Sequence, residues 1–161
     1  MNRIKNIATT AVIIAAIIAG LALLTRNSSE SDRQARNTQT AGNQTFDFGR
    51  ISMAAGKVSH EYEIVNDSGE ELKIEKIYTS CMCTEGYLAL GGKRFGPFGM
   101  PGHAAAPKVN QILSPFEKAK VEAVFDPAAH GPAGIGKISR VVTVETSNGV
   151  FEYDFTAEVT P

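Results

Sequence analysis

Phe151-Glu152-Tyr153-Asp154-Phe155-Thr156-Ala157-Glu158-Val159, close to the end of a 161-residue chain, sets an apolar side chain at every second position and a polar one between. Successive side chains of an extended strand point to opposite faces. This stretch therefore predicts a β-strand with one face in a core and the other in water. The same period recurs upstream. Val58, His60, Tyr62 and Ile64 alternate with Ser59, Glu61 and Glu63, and Ala119, Val121, Ala123 and Phe125 alternate with Lys118, Lys120 and Glu122.

Turn chemistry punctuates these runs. Asn66-Asp67-Ser68-Gly69 separates two strands, and Ser147-Asn148-Gly149 joins Ile138–Thr146 to Val150–Val159 as a hairpin. No stretch beyond residue 44 sustains a helical period. Short strands with polar turns predict an all-β, antiparallel sandwich over 45–161, with a closed barrel as the alternative. His60 lies on the apolar face of its strand and reads as a partly buried core residue, not a ligand.

The N-terminus has a different grammar. Ile7 to Leu24 is apolar and carries no charge, and its length as a helix, roughly 27 Å, just crosses a hydrocarbon core. Residues 1–26 therefore predict an N-terminal transmembrane anchor; a cleaved secretory signal ending near Gly20-Leu21-Ala22 is the other reading. Arg3 and Lys5 precede the run and Arg26 follows it, which puts the N-terminus in the cytoplasm and the rest outside, tied to the cell membrane by a single pass. Residues 27–44, "NSSESDRQARNTQTAGNQ", hold no apolar residue larger than alanine and read as a flexible polar tether. From Thr45 onward eleven Lys and Arg face fifteen Asp and Glu, a difference of −4, dispersed along the strands. Nucleic acid needs a basic stripe, so it is excluded as a partner.

Several pieces in order resemble the bacterial family called domain of unknown function 1573, which is similar to the Hydin-type and major-sperm-protein-like immunoglobulin folds. They are Phe46-Asp47-Phe48-Gly49, the Gly56 turn, Asn66 before its polar turn, Ser80-Cys81-Met82-Cys83-Thr84, and Val124-Phe125-Asp126. The resemblance implies an immunoglobulin-like sandwich of seven to eight strands, exported or membrane-tethered, and no particular activity. Three departures stand out. Met82 occupies a position that is usually glycine, and Ser114-Pro115-Phe116-Glu117 replaces the usual Pro-Gly. The stretch 86–111, with "GKRFGPFGMPGHAAAPKVN", is longer than the family pattern and reads as a long loop.

Cys81 and Cys83 are the only cysteines. Export favours oxidation, yet a bridge between residues one apart closes a small, strained ring and is easily reduced. Thiolates and thioethers also select soft ions, and imidazole accepts copper or zinc. Loops at one end of a sandwich cluster in space, so Cys81, Cys83, Met100, His103 and His130 form a candidate set of ligands for Cu(I) or Zn. No cofactor is established by this pattern. Catalysis by a cysteine would need a base and an orienting group, and no such signature is present, so the chain is not expected to be an enzyme. The cysteines also read as small buried hydrophobes, with Phe95, Phe98 and Met100 capping the core. The sequence thus predicts a membrane-anchored, extracytoplasmic binding or envelope-scaffolding module whose partner is an envelope protein. Its alternative is a soft-metal or thiol-redox protein built on the Cys-Met-Cys loop.

Overall fold

The computed structural model describes residues 43–103 and 108–161. Among these residues nine strands form two sheets: β1 (Gln44–Ser52), β2 (Val58–Val65), β3 (Leu72–Thr79), β4 (Thr84–Leu90), β5 (Lys93–Phe98), β6 (Lys108–Leu113), β7 (Lys118–Phe125), β8 (Gly136–Thr146) and β9 (Gly149–Thr160). One sheet runs β1-β9-β8-β3-β6 and the other β2-β7-β4-β5. The sandwich expected from the alternating pattern is what forms, and it fits an immunoglobulin-like fold.

The alternation works as predicted because each period-two run has a core to face. Tyr62, Ile64, Leu88, Val121 and Phe125 of one sheet meet Ile74, Ile77, Val142, Val144, Tyr153, Phe155 and Val159 of the other, all at most 3 % exposed. Burying each large side chain of this kind contributes about 1.5–3 kcal/mol relative to leaving it in water. The expected hairpin forms with Thr146 opposite Gly149, leaving Ser147-Asn148 as the turn. His60 is half-buried and stacks on Phe46 with ring centroids 3.6 Å apart, as its place on the apolar face requires.

Two expectations are corrected. The sandwich is not wholly antiparallel: β1 pairs with β9 in parallel, from Gln44 opposite Tyr153 to Ser52 opposite Thr160. The register slips between Asp47 and Arg50, where the Gly49 amide donates to Asp47 Oδ1 (2.9 Å) with Gly49 at φ 65°. A glycine is needed there because a side chain at that φ is strained. Thr156 Oγ1 donates to the same carboxylate at 3.0 Å, locking the bulge to β9.

The stretch 86–111 is also not one long loop. Most of it is the edge strand β6 and the hairpin β4–β5, whose two strands are joined at Gly91-Gly92, both at positive φ. Two such glycines suit the tight turns whose twist matches that of flanking strands. Phe98 enters the core and Phe95 packs against it, whereas Met100 stands half-buried beyond the end of β5.

The transmembrane helix expected over 1–26 and nearly all of the tether lie outside the described residues; Gln44, read as the last tether residue, opens β1. Among the described residues no helix is long and apolar enough to cross a membrane.

Candidate metal centre

At the end of β3, strand pairing gives way to a bend that turns the two cysteines to one side. Ser80 is pinned to β8 twice: its amide donates to the Val141 carbonyl (3.0 Å) and its hydroxyl accepts from the Val141 amide (2.9 Å). The Thr84 amide then donates back to the Cys81 carbonyl at 3.1 Å, closing a four-residue turn. The buried Thr79 hydroxyl lies within reach of the carbonyls of Cys81 (3.1 Å) and Thr84 (3.0 Å) and steadies that turn from beneath. In a straight strand the two Cα atoms would be roughly 7 Å apart, too far for their sulfurs to interact closely. The turn leaves both thiols free and brings their Sγ atoms to 2.6 Å. Met82, between them, is 57 % exposed and leaves the inner side of the turn to the cysteines.

The loop after β7 is tied to this turn by its first residue. The Asp126 amide donates to the Cys83 carbonyl at 2.9 Å, and the Asp126 carboxylate accepts from the Ala128 amide at 2.9 Å. Gly131, at φ 55°, donates to the Ala128 carbonyl and reverses the chain around His130. His130 Nε2 consequently lies 3.3 Å from Cys81 Sγ. The two sulfurs and an imidazole nitrogen of His130 all fall within 4.8 Å of one another.

Of the five residues the sequence nominated, the fold gathers Cys81, Cys83 and His130. His103 is exposed and is not part of this group. Met100 follows Gly99, whose carbonyl accepts from the Thr79 amide at 3.3 Å, so its loop passes beside the end of β3.

Sequence reasoning missed one residue, Arg140, whose Nε donates to Cys83 Sγ at 3.3 Å. The signal was present: Arg140 stands in the same alternation as Ile138, Val142 and Val144, a core-facing place that a charge takes only with a partner.

The two thiols differ in acidity. Burial pushes the Cys81 thiol up, but hydrogen bonds from the Cys83 thiol and amide and from His130, with the charge of Arg140, outweigh it and bring Cys81 down to about 7. Cys83 is raised, first by burial and then by donating its proton to Cys81, against the pull of Arg140. An acidified thiol hydrogen-bonded to a second, beside a permanent cation, is a pair whose remaining protons a bound metal would displace.

Three donors held at about 2.0–2.3 Å from one ion would stand roughly 3.5–4 Å from each other. The sulfurs need only part by rotation about their side-chain bonds to reach that spacing. At the observed separation they are equally placed to form a bridge, so the arrangement suits soft-metal ligation and thiol–disulfide chemistry alike.

Fold and site together define an immunoglobulin-like β-sandwich with a dithiol–imidazole cluster at one end. Residues 39–89 match the model of the family described as "Protein of unknown function (DUF1573)", which spans β1 to β4 and includes both cysteines. His130 and Arg140 lie beyond the matched stretch. Among solved structures, the chain is similar to a protein of unknown function from Porphyromonas gingivalis W83 (12 % identity, TM-score 0.53), covering 72 % of this chain and 44 % of that one. It is also similar to the VesB protease of Vibrio cholerae (15 % identity, TM-score 0.43), covering 80 % of this chain and 35 % of that one. A third similarity is to the YadV chaperone (10 % identity, TM-score 0.39), covering 74 % of this chain and 51 % of that one. The chain therefore spans less than half the length of the first two. No curated protein matches it.

Proposed function

We propose that this protein is a non-catalytic, membrane-anchored module whose sandwich stands outside the cytoplasm and binds one soft metal ion, Cu(I) or Zn(II), through Cys81, Cys83 and His130. The observation that carries this reading is the convergence of two sulfurs and an imidazole nitrogen within 4.8 Å, drawn from two loops far apart in sequence. Such a donor set is what thiophilic ions select. The Ile7–Leu24 run supplies the anchor and the net negative sandwich the exported part. Cys81 and His130 also resemble a nucleophile and its base, but His130 is exposed and no other side chain among the described residues is hydrogen-bonded to its ring. An imidazole free to reorient suits a ligand better than a general base, which needs an orienting partner.

Native mass spectrometry of the full-length chain, purified anaerobically after growth with copper and zinc, tests this reading. One metal ion per chain, released on acid denaturation, is the expected result. The bare reduced mass, with no uptake on later titration with Cu(I) or Zn(II), overturns it.

A second reading rests on a different observation. β6 is a six-residue edge strand carrying Ile112 at 51 % exposure, and an envelope protein adding a strand there would make this module a scaffold. That role predicts partner binding that survives substitution of both cysteines by serine and is lost when proline replaces Ile112.

A further inference from the structure

We propose that the Cys81–Cys83–His130 site is set for a monovalent thiophilic cation, Cu(I), and that Arg140 makes the choice; the inference rests on the metal-binding reading above. Arg140 occupies a core-facing position of β8, half-buried, with Nε 3.3 Å from Cys83 Sγ. Its guanidinium is charged at every accessible pH. Cys83 itself is 3 % exposed, so water screens little of the interaction on that side.

Charge balance follows directly. Two metal-bound thiolates bring two negative charges and neutral His130 brings none. Arg140 returns one positive charge, and a monovalent ion completes neutrality. A divalent ion would leave one uncompensated positive charge beside a fixed guanidinium, in surroundings that penalise it.

The donor count points the same way. Structural zinc sites close with four protein ligands. Of the described Cys, His, Asp and Glu side chains three converge here, one short of that closure, and a soft ion of low coordination number such as Cu(I) does not need a fourth. Arg140 touches no metal in this account. It acts on the ion through the sulfur it holds and through its charge, and is a positioning residue.

Paired competition titrations of the full-length, reduced chain with Cu(I) alone and Zn(II) alone, each against a chelator of known affinity, test the proposal. Wild type should hold Cu(I) in strong preference to Zn(II), with a thiolate-to-copper charge-transfer band in the ultraviolet. Arg140→Gln should lower the ratio of Cu(I) to Zn(II) affinity by about tenfold or more, since one unit charge a few ångströms away is worth that much even where water screens most of it. Arg140→Lys, which keeps the charge, should restore the ratio to within about threefold of wild type. Should the glutamine variant fail to fold, Arg140→Met keeps the apolar stem and removes the charge. An unchanged ratio in the neutral variants overturns the role of Arg140, and a wild-type preference for Zn(II) overturns the choice of ion; both leave metal binding standing. A wild-type chain that takes up neither ion removes the underlying reading instead.

Discussion

The two ends of strands β3 and β7 treat buried polar groups in opposite ways. At one end Asn66, 2 % exposed, is fully engaged. Its Nδ2 donates toward the carbonyls of Glu70 (2.7 Å), Leu113 (3.0 Å) and Ser114 (3.0 Å), and its Oδ1 accepts from the Ser68 amide and hydroxyl. That one amide fastens the β2–β3 turn to the β6–β7 turn. At the other end Cys81 and Cys83 face each other, an exposed histidine and an arginine that can let go. A closed network has no capacity left for a ligand and contributes stability alone. An open one, of similar size and equally well placed by the strands, keeps its donors available. Burial of polar groups is therefore no mark of a site; the spare valence of those groups is.

The contrast is broken most forcefully at the closed end. Asn66→Leu removes the buried donor shared by three carbonyls and the acceptor of the Ser68 amide and hydroxyl, and should cost about 2–4 kcal/mol, read as a lower midpoint of urea denaturation. The open end should tolerate change far better. Cys81→Ser with Cys83→Ser should abolish metal uptake in a native mass spectrum while costing about 1 kcal/mol of stability. If the double serine variant unfolds as badly as Asn66→Leu, the cysteines are structural and the contrast fails.

Acidity sharpens the same comparison. Cys81 is lowered from the ordinary thiol value of 9.0 to about 7, so its thiolate is favoured by the folded state. The stability this contributes is fully present above the ordinary thiol value and disappears as pH falls through about 7. Alkylation by iodoacetamide, followed by mass spectrometry of the metal-free chain, should show Cys81 reacting with a midpoint near pH 7 and Cys83 lagging behind it. His130→Ala should move the Cys81 midpoint upward. Equal rates at the two cysteines would contradict the asymmetry.

The smallest effect belongs to the β6–β7 turn at the closed end. Phe116 has φ 61° and is 72 % exposed, in a turn closed by the Glu117 amide donating to the Ser114 carbonyl at 3.1 Å. Phe116→Gly should raise stability by about 0.5–1 kcal/mol by relieving a left-handed backbone that glycine adopts freely.

How much of this was legible depended on whether a signal was local. The alternation of Phe151–Val159 and Val58–Ile64 predicted strands because the face pattern is written along the chain itself. β4 and β5 escaped notice for a packing reason. Gly86 sits at a core-facing position where a Cβ would lie 3.2 Å from Ile77 Cγ2 and 3.3 Å from Val142 Cγ1, so the apolar mark of that strand is missing. β5 holds Gly96 and Pro97, residues that an edge strand accepts and that read as loop. The types of the metal donors were legible and their company was not. The separation between Cys81 and His130 is closed by the Asp126–Cys83 backbone bond, which no sequence pattern records. Arg140 could have been found, since a guanidinium in an apolar alternation asks for a partner.

The parallel pairing of β1 with β9 bears on what happens when the protein is pulled. Gln44 and Pro161 leave that ladder at opposite ends, one beside Tyr153 and the other just past Thr160. Tension applied between the two termini of the sandwich runs along the strands and loads the whole row of β1–β9 hydrogen bonds together. An antiparallel pair would instead be peeled open one bond at a time. The first strand of the sandwich thus acts as a shear joint, and a sandwich held from its N-terminal side would resist force best along that line.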